Sequence, residues 1–559
     1  MLSSAETPKL SRNEGIKSAS PNLAGTIVSA LQDGTDRFND DDYEFLKFHG
    51  VYQQDDRDKR KTGKQYIMMV RTRFPGGVIS GKQYAVCDDL AKRWGNNTLR
   101  ITARQTFQFH GVLKSNLRQT IKSLNDALMT TIAACGDVAR NVMAPPTPAT
   151  SAIAGHILAE AEMLSWALAP KISAYHSIWV DGVEIDLKTD DKAEDPLYQR
   201  NYLPRKFKVA FAIPPLNDVD VFANDLGFVA VIEDGKLAGY NLLAGGGMGM
   251  SHGNANTFPR LADVVGFVAP QHVEAAAKAV LTIHRDFGDR TNRKHARLKY
   301  VIHERGIEWF RAELEKRLGF AVQPARPFAF TRQGDLLGWH EQTDGNWFLG
   351  LFVENGRILD RDGYQLKTGL RRAFEAFVPE ARLTASQNIL LVGVRAENRA
   401  RIDAILAEHG VSTANLYSRI RLASMACPSM PTCGLGLAES ERALPSIMTG
   451  IEALLMEMGL EDEEIVIRMT GCPNGCARPY LAELGFVGKA PGKYQVYLGG
   501  NLGGTRLNRL YKEAVKTEEI IPELRALLSR FTGERLPGER FGDFCHRAIL
   551  PSAPPASVS

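Results

Sequence analysis

The stretch Arg100-Ile101-Thr102-Ala103-Arg104-Gln105 returns in the second half of the chain as Arg382-Leu383-Thr384-Ala385-Ser386-Gln387. Both copies run on to Gly-Val, at Gly111-Val112 and Gly393-Val394. Over the 14 aligned residues from Leu99 and Ala381, six are identical. A second pair follows: Leu226-Gly227-Phe228-Val229 and Leu484-Gly485-Phe486-Val487. Each leads through a turn (Glu233-Asp234-Gly235-Lys236; Ala490-Pro491-Gly492-Lys493) into a strand-like run and a glycine cluster, Gly245-Gly246-Gly247 or Gly499-Gly500. The order is therefore A–B–A′–B′, and so long a period means duplication, not a solenoid. The A unit reads as a strand over 65–74, a turn at Pro75-Gly76-Gly77, a helix over 82–94 and a strand over 99–109. The B unit mixes a strand over 206–213 with a helix over 272–285. Strands and helices without strict βαβ alternation give an α+β class, internally duplicated as A–B–A′–B′ with pseudo-twofold symmetry. The first 40 or so residues and the Pro/Ser-rich end, 551–559, are expected to be flexible.

Only B′ carries four clustered cysteines. They lie in Ala426-Cys427-Pro428-Ser429-Met430-Pro431-Thr432-Cys433-Gly434 and Thr470-Gly471-Cys472-Pro473-Asn474-Gly475-Cys476. The pattern is C-x5-C, 38 residues, then C-x3-C. Four thiolates suit an iron–sulfur cluster. Structural zinc competes, but it prefers C-x2–4-C spacings. Four ordinary buried cysteines are the third explanation. Crowding of most of the seven Cys into one 50-residue stretch speaks against it. The outlying Cys87, Cys135 and Cys545 read as structural. Cys472 and Cys476 would share a helix face if a short helix continued over 477–484. An amphipathic helix is expected over 437–458, with Pro445 and Gly450 as kink points. Loops feeding two helices would aim backbone N–H groups at an anionic cluster.

Composition narrows the class. The chain has 559 residues, 44% hydrophobic and 24% charged, with a net charge of only +4. That is globular and multidomain, and too weakly basic for a nucleic-acid or membrane-surface protein. No apolar run reaches a membrane span, and Met1-Leu2-Ser3-Ser4-Ala5-Glu6-Thr7-Pro8 lacks a secretory pattern. Free thiols used as ligands point to a reducing compartment, the cytoplasm. Basic residues gather in strand-like or loop segments: Arg71 and Arg73, Lys206 and Lys208, with Arg100, Arg104, Arg140, Arg205, Arg293, Lys294 and Arg297. Most such charges are solvated surface. In Leu203-Pro204-Arg205-Lys206-Phe207-Lys208-Val209-Ala210-Phe211, however, they lead into a buried-looking run, where they need anionic partners. Gly245–Gly249 lacks the strand–GxGxxG–helix context, so no NAD or FAD domain is expected.

The two cysteine motifs, the duplication, the cationic set and Phe48-His49-Gly50-Val51-Tyr52-Gln53-Gln54-Asp55-Asp56-Arg57-Asp58 together resemble the sirohaem sulfite and nitrite reductases, over roughly residues 25–548. Within that family the resemblance is nearest to the bacterial assimilatory sulfite reductase haemoproteins. It implies a 4Fe–4S cluster on Cys427, Cys433, Cys472 and Cys476, with the Cys476 sulfur also ligating sirohaem iron. It implies sulfite binding by Arg71, Arg140, Lys206 and Lys208. Sirohaem carboxylates would be held by Arg104, Arg205, Arg297, Gln387 and Asn474. Arg297 departs from the Lys found in close members, keeping charge but not geometry; Ser386 departs from an Asn. The resemblance further implies a division into an N-terminal extension (1–60), paired ferredoxin-like half-domains (61–135 and 335–412), a sirohaem/substrate domain (136–334), a cluster and sirohaem domain (413–550) and a tail (551–559). The activity implied is the six-electron reduction of sulfite to sulfide in sulfate assimilation. Electrons would come from an NADPH-oxidising flavoprotein subunit or, alternatively, ferredoxin. Nitrite reduction is the rival on the same scaffold, although nitrite enzymes tend to carry Asn where this chain has Lys208. A non-catalytic iron–sulfur carrier is the more remote alternative.

Overall fold

The computed structural model describes residues 9–20, 23–147, 152–171, 178–180, 183–185, 194–414 and 416–551. The two A units fold as a pair. In the first, strands Val51–Asp55, Tyr66–Arg71, Phe107–Val112 and Leu99–Ile101 form an antiparallel sheet whose fifth strand, Arg357–Ile358, comes from the second unit. Gly338–Glu341, Trp347–Leu351, Ile389–Val394 and Glu380–Leu383 form the other sheet. Its fifth strand, Val78–Ser80, comes from the first unit. The exchange follows from two matching turns. Gly76-Gly77 and Asn355-Gly356 all have positive φ, and a Cβ would sit 2.3 Å from Leu383 O at Gly77 and 2.5 Å from Ile101 O at Gly356. Only glycine permits that approach. Helices Gly81–Arg93 and Leu366–Ala376 meet through stacked Tyr84 and Phe374, 4.1 Å apart, over a single shared core.

The B units repeat each other strand for strand. Val209–Ala212 pairs in parallel with Leu226–Glu233, followed by antiparallel Lys236–Ala244 and Asp263–Val268. In B′, Ile467–Thr470 pairs in parallel with Leu484–Ala490, followed by antiparallel Lys493–Leu498 and Arg509–Lys516. The registers match: Val209 faces Leu226, and Ile467 faces Leu484. B′ adds Ser424–Ala426 beside Ile467–Thr470, also parallel. Helices Ala152–Ala167 and Val273–Phe287 cover the first sheet, and Leu444–Glu457 and Ile520–Glu534 the second. At equivalent points Asp220 and Arg478 adopt the same left-handed backbone (φ 48, ψ 59; φ 54, ψ 50), and Arg478 Nε donates to Asp220. The duplicated α+β architecture is thus present, with its two halves touching through matched residues.

Several expected elements differ. The strand over 99–109 is two strands of a hairpin, broken at Thr102–Thr106, where Gln105 takes φ 57. The helix over 437–458 begins only at Leu444, with Pro445 in its first turn, where a missing N–H costs nothing. Residues 437 and 438 instead donate to Gly471 O at 2.7 and 3.1 Å. The helix over 477–484 is a single turn, Pro479–Leu481, that feeds a strand. Cys472 and Cys476 therefore do not share a helix face. Nor is the N-terminus loose throughout. Helix Arg12–Ala19 buries Glu14 and Lys17, whose Nζ donates to Leu203 O at 2.9 Å. The expected tail lies, beyond Pro551, outside the described residues.

Candidate functional site

Ser424–Ala426 and Ile467–Thr470 are parallel neighbours, and both cysteine loops leave from their C-terminal ends. The crevice beyond such ends is where open parallel sheets bind ligands. Cys427 N–H donates to Met469 O at 3.1 Å and Cys433 N–H to Ser429 O at 2.9 Å, while Gly471 N–H points at Cys427 Sγ, 3.4 Å away. Asn474 Nδ2 lies 3.7 Å from Cys472 Sγ. A Cβ on Gly471 would fall 2.4 Å from Ala438 O, so the loops interlock only with glycine there. Cys427 and Cys472 are buried, Cys433 is half-buried and Cys476 is exposed. Burial, then the neighbouring Cys476, pushes the Cys427 and Cys472 thiols up; burial also raises Cys433. Thiols that resist ionisation at Cys427, Cys433 and Cys472 call for a cationic centre to hold them as thiolates. No three His, Cys, Asp or Glu among the described residues are gathered as a single metal ion requires. The set fits a cluster, whose several irons spread their thiolates, better than one zinc ion.

Cys476 opens towards the cations. Arg71 and Lys206 lie within its electrostatic reach. Lys206 and Lys208 flank Phe207, just before Val209–Ala212, both half-buried. Burial, then Arg205 and Arg297, lowers Lys206 to about 7; burial, then Lys206 and Arg104, drives Lys208 far below its ordinary value. Arg104 falls to about 9 through burial, then Arg140 and Arg478. It donates to Asn224 Oδ1 at 2.9 Å and Val209 O at 3.1 Å, leaving Nε unpartnered. Arg140 is anchored on Gly136 O (2.9 Å) and Ala134 O (3.2 Å). Arg71 Nη1 lies 3.1 Å from Cys135 Sγ, and its guanidinium sits over the Tyr52 ring. Among the described residues, none of these five cations is ion-paired with a carboxylate. Cations packed against one another at such burial are costly unless an anion joins them. An oxyanion together with a polycarboxylate cofactor is what this wall fits.

Other expected residues are held differently. Arg205 reaches Asp137 at 3.9 Å; the same carboxylate takes Arg293 at 2.7 Å and Lys17 at 3.6 Å. Burial would raise Asp137, but Arg293 and Lys17 hold it well below the usual range. Arg297 is committed to buried Asp225, at 3.2 Å from its Nε and 2.5 Å from its Nη2, so its charge is already matched. Gln387, with φ 73, donates to Ala426 O at 3.0 Å from behind Cys427 and keeps Oε1 unpartnered. Arg73 does not share a face with Arg71: the strand ends at Arg71, and Arg73 Nε bonds Ser165 Oγ at 3.1 Å, away from the cavity. Arg100 and Arg357 converge on Glu441, whose N–H donates to Cys427 O at 3.1 Å.

Cys135 is buried, as expected of a structural cysteine, though it lies against Arg71. The sequence reading gave no role to Asp225, which holds Arg297, to Glu441, which holds Arg100 and Arg357, or to Glu483, which holds Arg540. Asp225 and Glu483 were detectable, since each immediately precedes its Leu-Gly-Phe-Val copy. Among the described residues no helix is long and apolar enough to cross a membrane.

Comparison with known proteins shows what the chain is similar to. The Nitrite/Sulfite reductase ferredoxin-like half domain matches residues 59–127 and 340–409, and the Nitrite and sulphite reductase 4Fe-4S domain matches 159–322. A protein of Myxococcus xanthus named "Sulfite reductase [NADPH] hemoprotein beta-component" is 50% identical over 546 residues, 96% of both chains. One of the same name from Geobacillus kaustophilus is 48% identical over 543 residues, covering 96% of this chain and 95% of that protein. The solved Mycobacterium tuberculosis NirA protein superposes with a TM-score of 0.78 over 97% of each chain at 24% identity, a likeness of fold.

Proposed function

The chain belongs to the nitrite and sulphite reductase family, and from that premise we propose that it reduces sulfite to sulfide with six electrons at a sirohaem coupled to a 4Fe–4S cluster. The observation that carries this reading is the exposed Cys476 facing a wall of cations that lack carboxylate partners. Cys427, Cys433, Cys472 and Cys476 would hold the cluster, with the Cys476 sulfur also helping to hold the haem. Arg104, Arg205, Arg297, Gln387 and Asn474 would border the haem. Arg104 is the best suited to its carboxylates, while Arg297 acts through Asp225. When bound, the paired cofactors supply the electrons one at a time.

The remaining chemistry belongs to the side chains. Arg71 and Arg140, each held through part of its guanidinium, would offer their remaining N–H groups to sulfite oxygens. Lys206 and Lys208 add charge where oxygen leaves as water. A Lys206 ammonium lowered to about 7 gives up a proton from Nζ easily at neutral pH. An arriving anion raises it again, so protonation follows substrate binding.

The relatives' names include NADPH, and no nucleotide-binding motif was found in this sequence. An NADPH-oxidising flavoprotein partner in the cytoplasm is therefore the proposed source of electrons, with ferredoxin the alternative. The proposed domains are those of the sequence reading: an N-terminal extension (1–60), paired half-domains (61–135 and 335–412), a sirohaem/substrate domain (136–334), a cluster and sirohaem domain (413–550) and a tail (551–559). Reduced methyl viologen with sulfite or nitrite in parallel tests the whole. Faster sulfite turnover at low substrate, yielding sulfide, is expected; a nitrite preference would overturn the substrate assignment.

A further inference from the structure

The motif Asp55-Asp56-Arg57-Asp58 has no part in the wall of cations, yet it crosses the molecule to the first cysteine loop. The turn Arg57–Thr62 is started by Asp56, whose side chain accepts from Asp58 N–H at 3.1 Å. Its backbone is pinned by Arg57 N–H to Pro431 O, 3.2 Å, and its far side by Arg442 Nη1 to Asp58 Oδ2, 2.6 Å. From this frame Arg57 Nη1 donates to Gly436 O at 2.6 Å and reaches Cys433 O at 3.4 Å. Those carbonyls bracket Gly434 and Leu435, which are exposed, the latter at 65%. The Gly436 N–H closes the turn onto Cys433 O at 3.1 Å, and the N–H groups of Leu435 and Gly436 lie close enough to the Cys433 sulfur to favour its thiolate.

We propose that Arg57 is a positioning residue for this loop. Its guanidinium locks the two carbonyls, keeps two N–H donors on the Cys433 sulfur, and adds a positive charge beside it. Resting on the cluster assignment above, this gives Arg57 two separable effects. Locking the loop slows loss of iron from its most accessible cysteine. Hydrogen bonds and charge at a thiolate make the cluster easier to reduce. Lysine would keep the charge and a donor but lacks the rigid guanidinium that places one Nη1 between both carbonyls.

The test uses holoenzyme in three variants, Arg57→Gln, Arg57→Lys and, as a control on the same turn, Arg60→Gln, whose partner is Asp55. Iron release to a ferrous chelator and the cluster midpoint in an anaerobic redox titration are the readouts. Arg57→Gln should release iron several-fold faster than wild type and titrate at a more negative midpoint. Arg57→Lys should release iron faster, with a midpoint between those of wild type and Arg57→Gln. Wild-type behaviour of both Arg57 variants overturns the proposal, as does an equal effect of Arg60→Gln, which would mean general loosening of the arm. If Arg57→Gln purifies without iron, Arg57→Lys decides alone. Wild-type protein lacking acid-labile sulfide would instead sink the cluster assignment, and this proposal with it.

Discussion

B and B′ are the same object given different chemistry. The N–H of Lys208 donates to Asp225 Oδ2 at 3.0 Å, and the N–H of Val466 donates to Glu483 Oε2 at the same 3.0 Å. Asp225 holds Arg297, which caps helix Leu298–Arg305; Glu483 holds Arg540, which caps helix Phe541–Phe544. Around this shared frame the side chains diverge. B has Lys206 and Lys208 where B′ has Glu464 and Val466, and B has Pro214 and Asp218 where B′ has Cys472 and Cys476. The first half supplies cations and the second thiolates, and the pseudo-twofold brings them face to face. In the proposed assignment, duplication supplies two unlike walls of one site on matching strand frames.

The comparison breaks first at Cys476. Cys476→Ser should cost more than about 100-fold in sulfite turnover, beyond the loss of a mere outer partner. The absorption spectrum should lose the cluster's contribution and the haem bands should shift. Retention of a normal spectrum would remove B′ as the thiolate half.

The cationic half is tested by copying B′ into it. Lys208→Val reproduces Val466 and leaves the N–H bond to Asp225 available, so the protein should fold. Sulfite turnover should drop about 100-fold, as when a charge-stabilising donor is lost. Unchanged turnover relative to nitrite would remove the basis for assigning Lys208 to sulfite.

The frame itself should prove equivalent but not equal in the two halves. Asp225→Asn leaves Arg297, only 7% exposed, without its counter-charge and should cost about 3 kcal/mol. Glu483→Gln should cost less, because Arg540 is 28% exposed and keeps Glu464. Denaturant midpoints of the two variants give the ranking, and the reverse order would mean the two acids do different work.

Much of this was legible in the sequence because it is written locally. The Thr-x-x-Gln turns, the Leu-Gly-Phe-Val strands and the cysteine spacings each depend on a few adjacent residues, and they located the duplication and the thiolates. What escaped depends on contacts across the duplication. The strand exchange needs Gly77 to meet Leu383 and Gly356 to meet Ile101, pairs no local pattern announces. Arg73 and Arg297 look like site cations by type. Only their partners tell them apart: Ser165 ties Arg73 elsewhere, and Asp225 matches the charge of Arg297. The misread helix over 477–484 failed because parallel pairing of Leu484–Ala490 with Ile467–Thr470 claims the chain just after one turn.

The smallest expected effect concerns the contact between the halves. Burial would raise Asp220, but Arg468 and Arg478 overcome it and hold its carboxyl at about 2. Burial likewise opposes Glu441, which Arg357 and Arg100 hold at about 2. A carboxylate depressed in the folded state stabilises fully above its unfolded value, roughly 4, and that contribution is lost as pH falls towards the folded value. Both pairs join separate units, so acid should loosen the junctions between units between about pH 4 and pH 2. Arg478→Ala, which leaves Arg468 on Asp220, should move the acid transition in intrinsic fluorescence upward by a fraction of a pH unit. An unmoved transition would show that the Asp220–Arg478 pair, where the duplicated halves meet residue for matching residue, contributes nothing to holding them together.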